Sequence, residues 1–293
     1  MNKYFIGLIL GVIVTKFSCA TNNLVESSSI DKLAEINNYV KQYQTAKQSS
    51  QLCLIYDLDN TILTQEPKLG SDAWTQWNIS LESQDLHKLE NWGISHNLYS
   101  LEGALRFFML YKPTESTTVD IINQLKDVQH HPSIVMTARS FERYFAATEN
   151  QLAHNNLDFK TNPIGISPSS KDQLLLQPNK HATGYKAYID GVYYSADDNK
   201  GEEIAQLIQQ QRKITKNNNL CQTLIFVDNS LTNARNVYNK FKQSNPAKIH
   251  VISLRYSAYD QYNKVSESSL KDWDYQAKNS TAQTLFKLIK QLN

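Results

Sequence analysis

The sequence predicts an α/β protein whose central sheet is mainly parallel and is sandwiched by helices. Residues 52–56 and 223–227 are continuous apolar runs of strand length, which is typical of parallel strands buried on both faces. Segments with apolar residues at helical spacing separate these runs, as the crossover connections between parallel strands require. With 41% hydrophobic residues, 9 glycines and 7 prolines, the composition is that of a globular protein rather than a disordered one.

The length and the charge balance narrow the classes of protein further. A chain of 293 residues can hold one large domain, or a domain with a cap. The 30 lysines and arginines nearly balance the 28 aspartates and glutamates. Such a chain has no strong basic field, and we therefore expect no nucleic-acid partner.

The first twenty residues predict export. Lys3 and an apolar run at residues 4–14 precede Ser18-Cys19-Ala20, a cleavage site of small residues. The run is too short to span a bilayer comfortably, so we interpret residues 1–20 as a secretory signal peptide. We expect a periplasmic or secreted protein with no stable membrane span after processing. The alternatives are an uncleaved anchor and a lipoprotein modified at Cys19, although residues 16–18 match the lipoprotein pattern poorly.

Two cysteines remain after such processing, Cys53 and Cys221, and each lies at the start of a predicted core strand. Their compartment would be oxidising. We nevertheless expect buried free thiols, because cysteine packs well as a small hydrophobic residue.

The first half of the chain predicts a helix, a strand and a cap. Residues 28–47 open with Ser28 and Asp31 in a capping-box-like arrangement and place apolar residues at helical spacing. After the strand, residues 62–112 form a connection of about fifty residues, which is too long for a simple loop. We interpret it as a mainly helical cap inserted into a core of residues 21–61 and 113–293. Its aromatic residues, which either bind substrate or only hold the cap together, are Trp74, Trp77, Trp92, Tyr99, Phe107 and Phe108.

The second half predicts the rest of the sheet. A β-hairpin is expected at residues 185–195, because Asp190-Gly191 joins two β-prone runs. Pro163 weakens one of the predicted strands. The other predicted strands are residues 132–136, 159–166 and 248–254, and the predicted helices are residues 114–128, residues 141–155, a helix opening near Lys200, and residues 282–292.

Two carboxylates follow the first strand. Asp57 and Asp59 are separated by one residue, so an extended chain turns both side chains toward one side at the carboxyl end of the strand. Open α/β sheets place their active sites at this end. Two carboxylates this close repel each other unless a cation lies between them or one holds a proton. The pair therefore indicates a site for a hard metal ion.

The apolar strand followed by Asp57-Leu58-Asp59-Asn60-Thr61 resembles the first motif of the haloacid dehalogenase superfamily, a strand followed by DxDx(T/V). The resemblance extends over roughly residues 50–255 through Thr137, Lys200 and Asp228, which end the second strand, open a helix and end the strand at residues 223–227. It implies the strand order 5-4-1-2-3. It also implies a Mg²⁺-dependent phosphatase, a hydrolase of phosphomonoesters.

The resemblance gives each of these residues a role. Asp57 would be the nucleophile that forms an aspartyl-phosphate, and Asp59 would be the general acid and base. Asp57 and Asp228, with the backbone carbonyl of Asp59, would hold Mg²⁺. Thr137 and Lys200 would bind the phosphate. The alternatives are that Thr137 only caps the following helix and that Lys200 is a solvated lysine.

The chain departs from the superfamily pattern at Asn229, where a second acid often stands. Asn229 or Asn233 would give a neutral oxygen or a hydrogen bond to a metal ligand, which leaves the ligand set open. Arg139 would contact substrate or pair with an acid. The alternative function is an exported binding or effector protein with this fold and weak or no catalysis. The sequence does not distinguish a phosphorylated small molecule from a phosphoprotein as the substrate.

Overall fold

A computed structural model describes residues 24–43, 51–65, 105–169 and 184–261, together with positions 71, 103, 177 and 178. As predicted, the fold is α/β, with a mostly parallel central sheet flanked by helices. The strands are β1 Val25–Ile30, β2 Leu52–Tyr56, β3 Leu63–Thr64, β4 Lys112–Pro113, β5 Ser133–Thr137, β6 Gln177–Pro178, β7 Tyr185–Ile189, β8 Val192–Tyr194, β9 Thr223–Asp228 and β10 His250–Tyr256. The α-helices are α1 Ile36–Tyr43, α2 Thr118–Asn123, α3 Phe141–His154, α4 Lys200–Thr215 and α5 Leu231–Gln243.

The main sheet has the strand order β1-β10-β9-β2-β5-β8-β7-β6, and β3 and β4 form a separate antiparallel pair. The pairs from β1 to β8 in this order are parallel, whereas β8–β7 and β7–β6 are antiparallel. In the centre, Tyr56 of β2 lies opposite Val227 of β9. The carboxyl ends of these two strands are therefore level, and the next residues, Asp57 and Asp228, come out side by side.

The sheet is buried on both faces. Leu54 and Tyr56 of β2 pack on the face covered by α1, α2 and α3, while Cys53 and Ile55 pack on the face covered by α4 and α5. Successive side chains of a strand point to opposite faces. An uninterrupted apolar run is therefore what a strand between two helical layers needs.

The N-terminal helix prediction is wrong at its start. Ser28, interpreted as the start of a capping box, lies instead in β1, which pairs with β10 in parallel and places Ser28 opposite Leu254. The helix α1 begins only at Ile36, after a 3₁₀ turn at Leu33–Glu35. A pairing partner more than two hundred residues away along the chain overrides the local capping signal.

The predicted strand at residues 159–166 is also wrong. This segment is irregular, and its place beside β5 is taken by β8, the second strand of the predicted hairpin. Pro163 cannot donate to a strand ladder. The hairpin turn packs directly on the segment, because a Cβ at Gly191, whose φ is +75°, would lie 2.1 Å from the carbonyl oxygen of Phe159.

The cysteine prediction is corrected as well. Cys53 and Cys221 form a disulfide rather than two free thiols, with Cα atoms 5.1 Å apart and no exposure to solvent. Cys53 lies in β2, and Cys221 lies in the turn that leads into the neighbouring strand β9. The parallel pairing of β2 with β9 thus brings Cys53 and Cys221, just ahead of β9, within bonding distance.

Several predicted features lie outside the described residues: the signal peptide at residues 1–20, the closing helix at residues 282–292, and Trp74, Trp77, Trp92 and Tyr99 of the proposed cap. Of the cap aromatics, Phe107 and Phe108 are described, stack edge to face and are 43% and 70% exposed. None of the described helices is long and apolar enough to cross a membrane.

Candidate active site

Asp57 follows β2 directly and is 6% exposed. Its Oδ1 accepts a hydrogen bond from Lys200 Nζ at 2.5 Å, and its Oδ2 accepts one from the Thr61 hydroxyl at 2.8 Å. The loop that follows turns back on itself through Asn60, which has a φ of 63°, and the Leu58 carbonyl accepts from the backbone N–H groups of residues 62 and 63. This turn brings Thr61 over the carboxylate, so both Asp57 oxygens have fixed partners.

Asp228 ends β9 and is fully buried. Its Oδ2 accepts from Lys200 Nζ at 2.7 Å and from Asn233 Nδ2 at 3.1 Å, and its Oδ1 accepts from the backbone N–H of Ser230 at 2.7 Å. Ser230 also caps α5 by accepting from the Asn233 N–H. The start of α5 therefore fixes the Asp228 carboxylate. Asn233, which was expected to give either a neutral oxygen or a hydrogen bond to a metal ligand, donates a hydrogen bond to Asp228.

Lys200 is the first residue of α4 and is 2% exposed, so it is not a solvated lysine. Asn199 caps the helix, and at Gly201 an added Cβ would lie 2.6 Å from the Asn236 carbonyl oxygen. This glycine lets α4 approach α5 closely. A lysine is unfavourable at a helix start, but here its ammonium is held between two carboxylates.

Burial shifts the pKa values of Asp57 and Lys200, which with Asp228 form the central trio of the site, in opposite directions. Burial and then repulsion by Asp228 raise the pKa of Asp57 to about 7, although Lys200 opposes the rise. Burial lowers the pKa of Lys200, but attraction by Asp228 and Asp57 more than offsets it, so the pKa lies above its ordinary value. With all three groups ionised, Asp57, Lys200 and Asp228 together carry one negative charge.

Two carboxylates of the site, Asp57 and Asp228, are available to a cation. In the described part of the chain no cluster of three or more His, Cys, Asp or Glu residues could hold a metal. One or two carboxylates, together with waters and substrate phosphate, are nevertheless a common ligand set for Mg²⁺. The Lys200 ammonium already lies between the two carboxylates, so a further cation, which the residual negative charge of the trio would favour, would have to bind next to it.

Asp59 forms ion pairs with two arginines rather than with Lys200. Its Oδ1 accepts from Arg139 Nη2 at 2.7 Å and from Arg106 Nη1 at 3.0 Å, and its Oδ2 accepts from Arg139 Nε at 2.9 Å. Burial raises the pKa of Asp59, but attraction by Arg139 and Arg106 outweighs it and holds the pKa well below its ordinary value. A general acid must carry a proton, so this arrangement opposes the acid role expected of Asp59.

Arg139 pairs with an acid and is anchored within the protein. Its Nη1 donates to Thr148 at 2.9 Å and to Gln151 at 2.8 Å, both on α3. Arg106 lies in the helical turn at residues 105–108, at the end of the segment predicted as a cap, and is 4% exposed. Arg139 is therefore fixed to α3, and Arg106 belongs to the segment that the sequence predicts as a cap.

Thr137 ends β5 and is 1% exposed. Its hydroxyl accepts from the Arg139 N–H at 3.2 Å, and its carbonyl accepts from the backbone N–H and the hydroxyl of Ser195. It does not cap α3, whose N-cap is Ser140. Thr137 thus lies at the same end of the sheet as Asp57, and Lys200 Nζ contacts the carbonyl of its neighbour Met136 at 3.3 Å.

Two site residues were not given roles by sequence reasoning. Thr61 was visible as the last residue of the motif, and its hydroxyl also accepts from the Asn229 N–H at 2.9 Å. Asn229 thus contacts Thr61 through its backbone N–H, and its side-chain Oδ1 lies 3.2 Å from the same hydroxyl. Arg106 had no signal, because nothing in its neighbourhood in the sequence relates it to Asp59, 47 residues earlier.

The chain matches the model of a family described as "Protein of unknown function (DUF2608)" over residues 29–287. This range contains every residue of the site described above. Neither the curated proteins nor the solved structures yield a match.

Proposed function

The chain belongs to the DUF2608 family, whose description gives no activity, and we propose from its site that it hydrolyses phosphomonoesters with Mg²⁺ through an aspartyl-phosphate on Asp57. One observation carries the proposal. The ammonium of Lys200 lies 2.5 Å from Asp57 and 2.7 Å from Asp228, at the level carboxyl ends of two central parallel strands. Phosphoryl transfer needs such a fixed nucleophile surrounded by groups that neutralise charge on the phosphate.

The sequence motif and the topology support the same proposal. The motif from Asp57 to Thr61 resembles that of the haloacid dehalogenase superfamily. The adjacent strands β10, β9, β2 and β5 correspond to the first four positions of the strand order that the resemblance implies. The insertion after Thr61, with its buried Arg106 at the edge of the site, would be the cap.

The proposed reaction has two steps. In the first, an oxygen of Asp57 attacks phosphorus, a new O–P bond forms, and the ester P–O bond breaks as the leaving oxygen takes a proton. In the second, water attacks the phosphorus of the aspartyl-phosphate, loses a proton to a base, and releases phosphate from Asp57. Lys200 and Thr137 would bind phosphate oxygens. Asp57 and Asp228 would hold Mg²⁺, which supplies positive charge to the phosphate.

Asp59 remains the proposed acid and base, but only after its ion pairs loosen. A carboxylate with a depressed pKa is a poor proton donor and also a weak base. Arg139 is anchored to α3 by two further hydrogen bonds, and the Arg106 carbonyl accepts from Gln151 on the same helix, so both arginines are held at the site.

A second function is supported by a separate observation. The acids Asp57, Asp59 and Asp228 are matched in number by the bases Lys200, Arg106 and Arg139, and the hydrogen bonds pair them within the protein. Such self-neutralisation suits an exported binding or effector protein that has kept the fold without turnover. An inactive protein with wild-type folding would favour this alternative.

We further propose that the protein is exported, periplasmic or secreted, after removal of residues 1–20. The buried disulfide between Cys53 and Cys221 supports this, because disulfides persist mainly in oxidising compartments. The substrate would be a phosphorylated small molecule or a phosphoprotein.

The proposed activity is tested by screening purified residues 21–293 against varied phosphoesters. We expect phosphate release with Mg²⁺ and none after chelation, and Asp57→Asn serves as the matched inactive control. Equal release by the two proteins would contradict the proposal.

A further inference from the structure

A second buried cluster of charged side chains lies beside the site, and we call it the hairpin cluster. It consists of Lys186 on β7, Tyr193 on β8, Asp198, and Glu203 on α4. Lys186 Nζ lies 3.0 Å from Asp198 Oδ2 and 3.1 Å from Glu203 Oε1, and the Tyr193 hydroxyl donates to Glu203 Oε2 at 2.5 Å. The exposed side-chain fractions are 9% for Lys186, 1% for Asp198 and 0% for Glu203.

Two members of the hairpin cluster lie on either side of Lys200 in the sequence. Asp198 precedes Lys200 by two residues, and Glu203 follows it by three. Residues three apart in a helix lie on the same face, and Lys200 and Glu203 are both on the buried face of α4. Fixing Asp198 and Glu203 to the hairpin therefore fixes the backbone from which the Lys200 side chain extends.

Burying the charged groups of the hairpin cluster costs desolvation free energy. Two carboxylates face one ammonium, and apolar side chains of similar size commonly stabilise a core as well or better. Burial lowers the pKa of Lys186, but hydrogen bonds and attraction from Asp198 and Glu203 more than offset it, so Lys186 stays charged. Burial and Glu203 raise the pKa of Tyr193, which keeps its hydroxyl a donor. Groups held in one place at such a cost are suited to specifying a geometry.

We propose that the hairpin cluster is a positioning device for Lys200: it ties the start of α4 to the β7–β8 hairpin so that the ammonium stays between Asp57 and Asp228. Tyr193, Lys186, Asp198 and Glu203 are then positioning residues rather than catalytic ones. The expected effect of the hairpin cluster on turnover rests on the proposed function. Its expected effect on the position of the Lys200 ammonium does not.

The test compares two tyrosines of one hairpin. Tyr193 and Tyr188 lie opposite each other on β8 and β7, and Tyr188 donates to the Ile164 carbonyl instead of to the cluster. Tyr193→Phe removes one hydroxyl from the hairpin cluster, whereas Tyr188→Phe removes one beside it. Glu203→Gln gives a stronger perturbation, and Tyr193→Phe alone decides the test if Glu203→Gln does not fold.

The first measurement is brief labelling with acetic anhydride, read by mass spectrometry at each lysine. We expect Lys200 to react about tenfold faster in Tyr193→Phe than in wild type, the factor that losing one hydrogen bond to a charged group gives. Tyr188→Phe should leave this rate unchanged. Lys126, which is 1% exposed after α2, should stay protected in all variants and so reports any general loosening.

The second measurement is steady-state turnover of an aryl phosphate. We expect Tyr193→Phe to lower kcat about tenfold with KM unchanged, as loss of a supporting partner typically does, and Tyr188→Phe to lower neither. Unchanged labelling of Lys200 in both cluster variants overturns the inference, whatever the activity. Absence of turnover in wild type would instead overturn the proposed function, and the labelling would still decide the inference.

Discussion

The Thr61 hydroxyl donates to Asp57 Oδ2 across 2.8 Å while it accepts from the Asn229 N–H at 2.9 Å. A single side chain thus joins the end of β2 to the loop after β9. Since Lys200 binds the other oxygen of Asp57, the rotation of the proposed nucleophile is fixed from both sides.

Replacing this hydroxyl tests its importance. Thr61→Val keeps the shape but leaves the half-buried Asn229 N–H without its acceptor and Asp57 Oδ2 without its donor, and we expect a loss of about 1–3 kcal/mol of stability. We also expect kcat to fall about 10–100-fold, as for other partners of a ligand residue. The matched control is Thr64→Val, a buried threonine whose hydroxyl contacts Asn60 rather than an acid. Urea unfolding and initial rates measure the two effects, and equal rates for both variants would contradict this role for Thr61.

The raised pKa of Asp57 can be measured directly. In metal-free protein labelled with ¹³C at aspartate, we expect Asp57 to titrate near pH 7, because burial and Asp228 disfavour its charged form. Lys200→Met removes the opposing cation, so the midpoint should move upward, and Mg²⁺ should move it downward. Asp57→Asn assigns the signal. A midpoint near 4 in metal-free wild type would contradict the described environment.

Arg106 should stabilise the fold in a pH-dependent way. Because the pKa of Asp59 is depressed in the folded protein, its contribution is present above the unfolded pKa of about 3.9 and is lost as the pH falls toward the folded value. Arg106→Met should therefore cost about 1–3 kcal/mol at pH 7 and less at pH 3. Arg255→Met, which breaks an exposed pair with Asp260, should cost under about 1 kcal/mol. Urea unfolding at both pH values measures these costs, and an equal cost of Arg106→Met at the two pH values contradicts the pairing with Asp59.

The fold was predictable where a strand can be recognised from its local sequence alone. The apolar runs that became β2 and β9 need no distant information, because burial on both faces demands apolar residues at every position. The serine-rich β1 could not be found in this way, since only its pairing with β10 makes it a strand. The disulfide depended on the same long-range register, which aligned β2 with β9.

The residues of the site likewise fall into those that the sequence predicts and those that it does not. Asp57, Lys200 and Asp228 lie at strand ends and at a helix start, and the sheet topology brings such positions together. The partners of Asp59 were not predictable, because Arg106 is 47 residues away from it in the chain and Arg139 is oriented by Thr148 and Gln151 on a separate helix.

The disulfide predicts a thiol count and a stability. Denatured but unreduced protein comprising residues 21–293 should show no free thiol, because Cys53 and Cys221 are its only cysteines. Removing both as Cys53→Ala with Cys221→Ala should cost about 2–5 kcal/mol in urea unfolding. Two thiols reacting with Ellman's reagent before reduction would restore the free-cysteine interpretation.

The proposed activity depends most on Asp57 as the nucleophile, and the direct measurement is trapping of the phosphorylated residue. Protein incubated with Mg²⁺ and a ³²P-labelled aryl phosphate, quenched in acid and digested, should carry label on the peptide that contains Asp57. Asp59→Asn should accumulate more label than wild type, since water attack on the aspartyl-phosphate loses its base and general base catalysis is worth about 10²–10⁴-fold. Asp57→Asn should carry none and release no phosphate. Phosphate release by Asp57→Asn at the wild-type rate, or label on any other residue, would contradict the central claim.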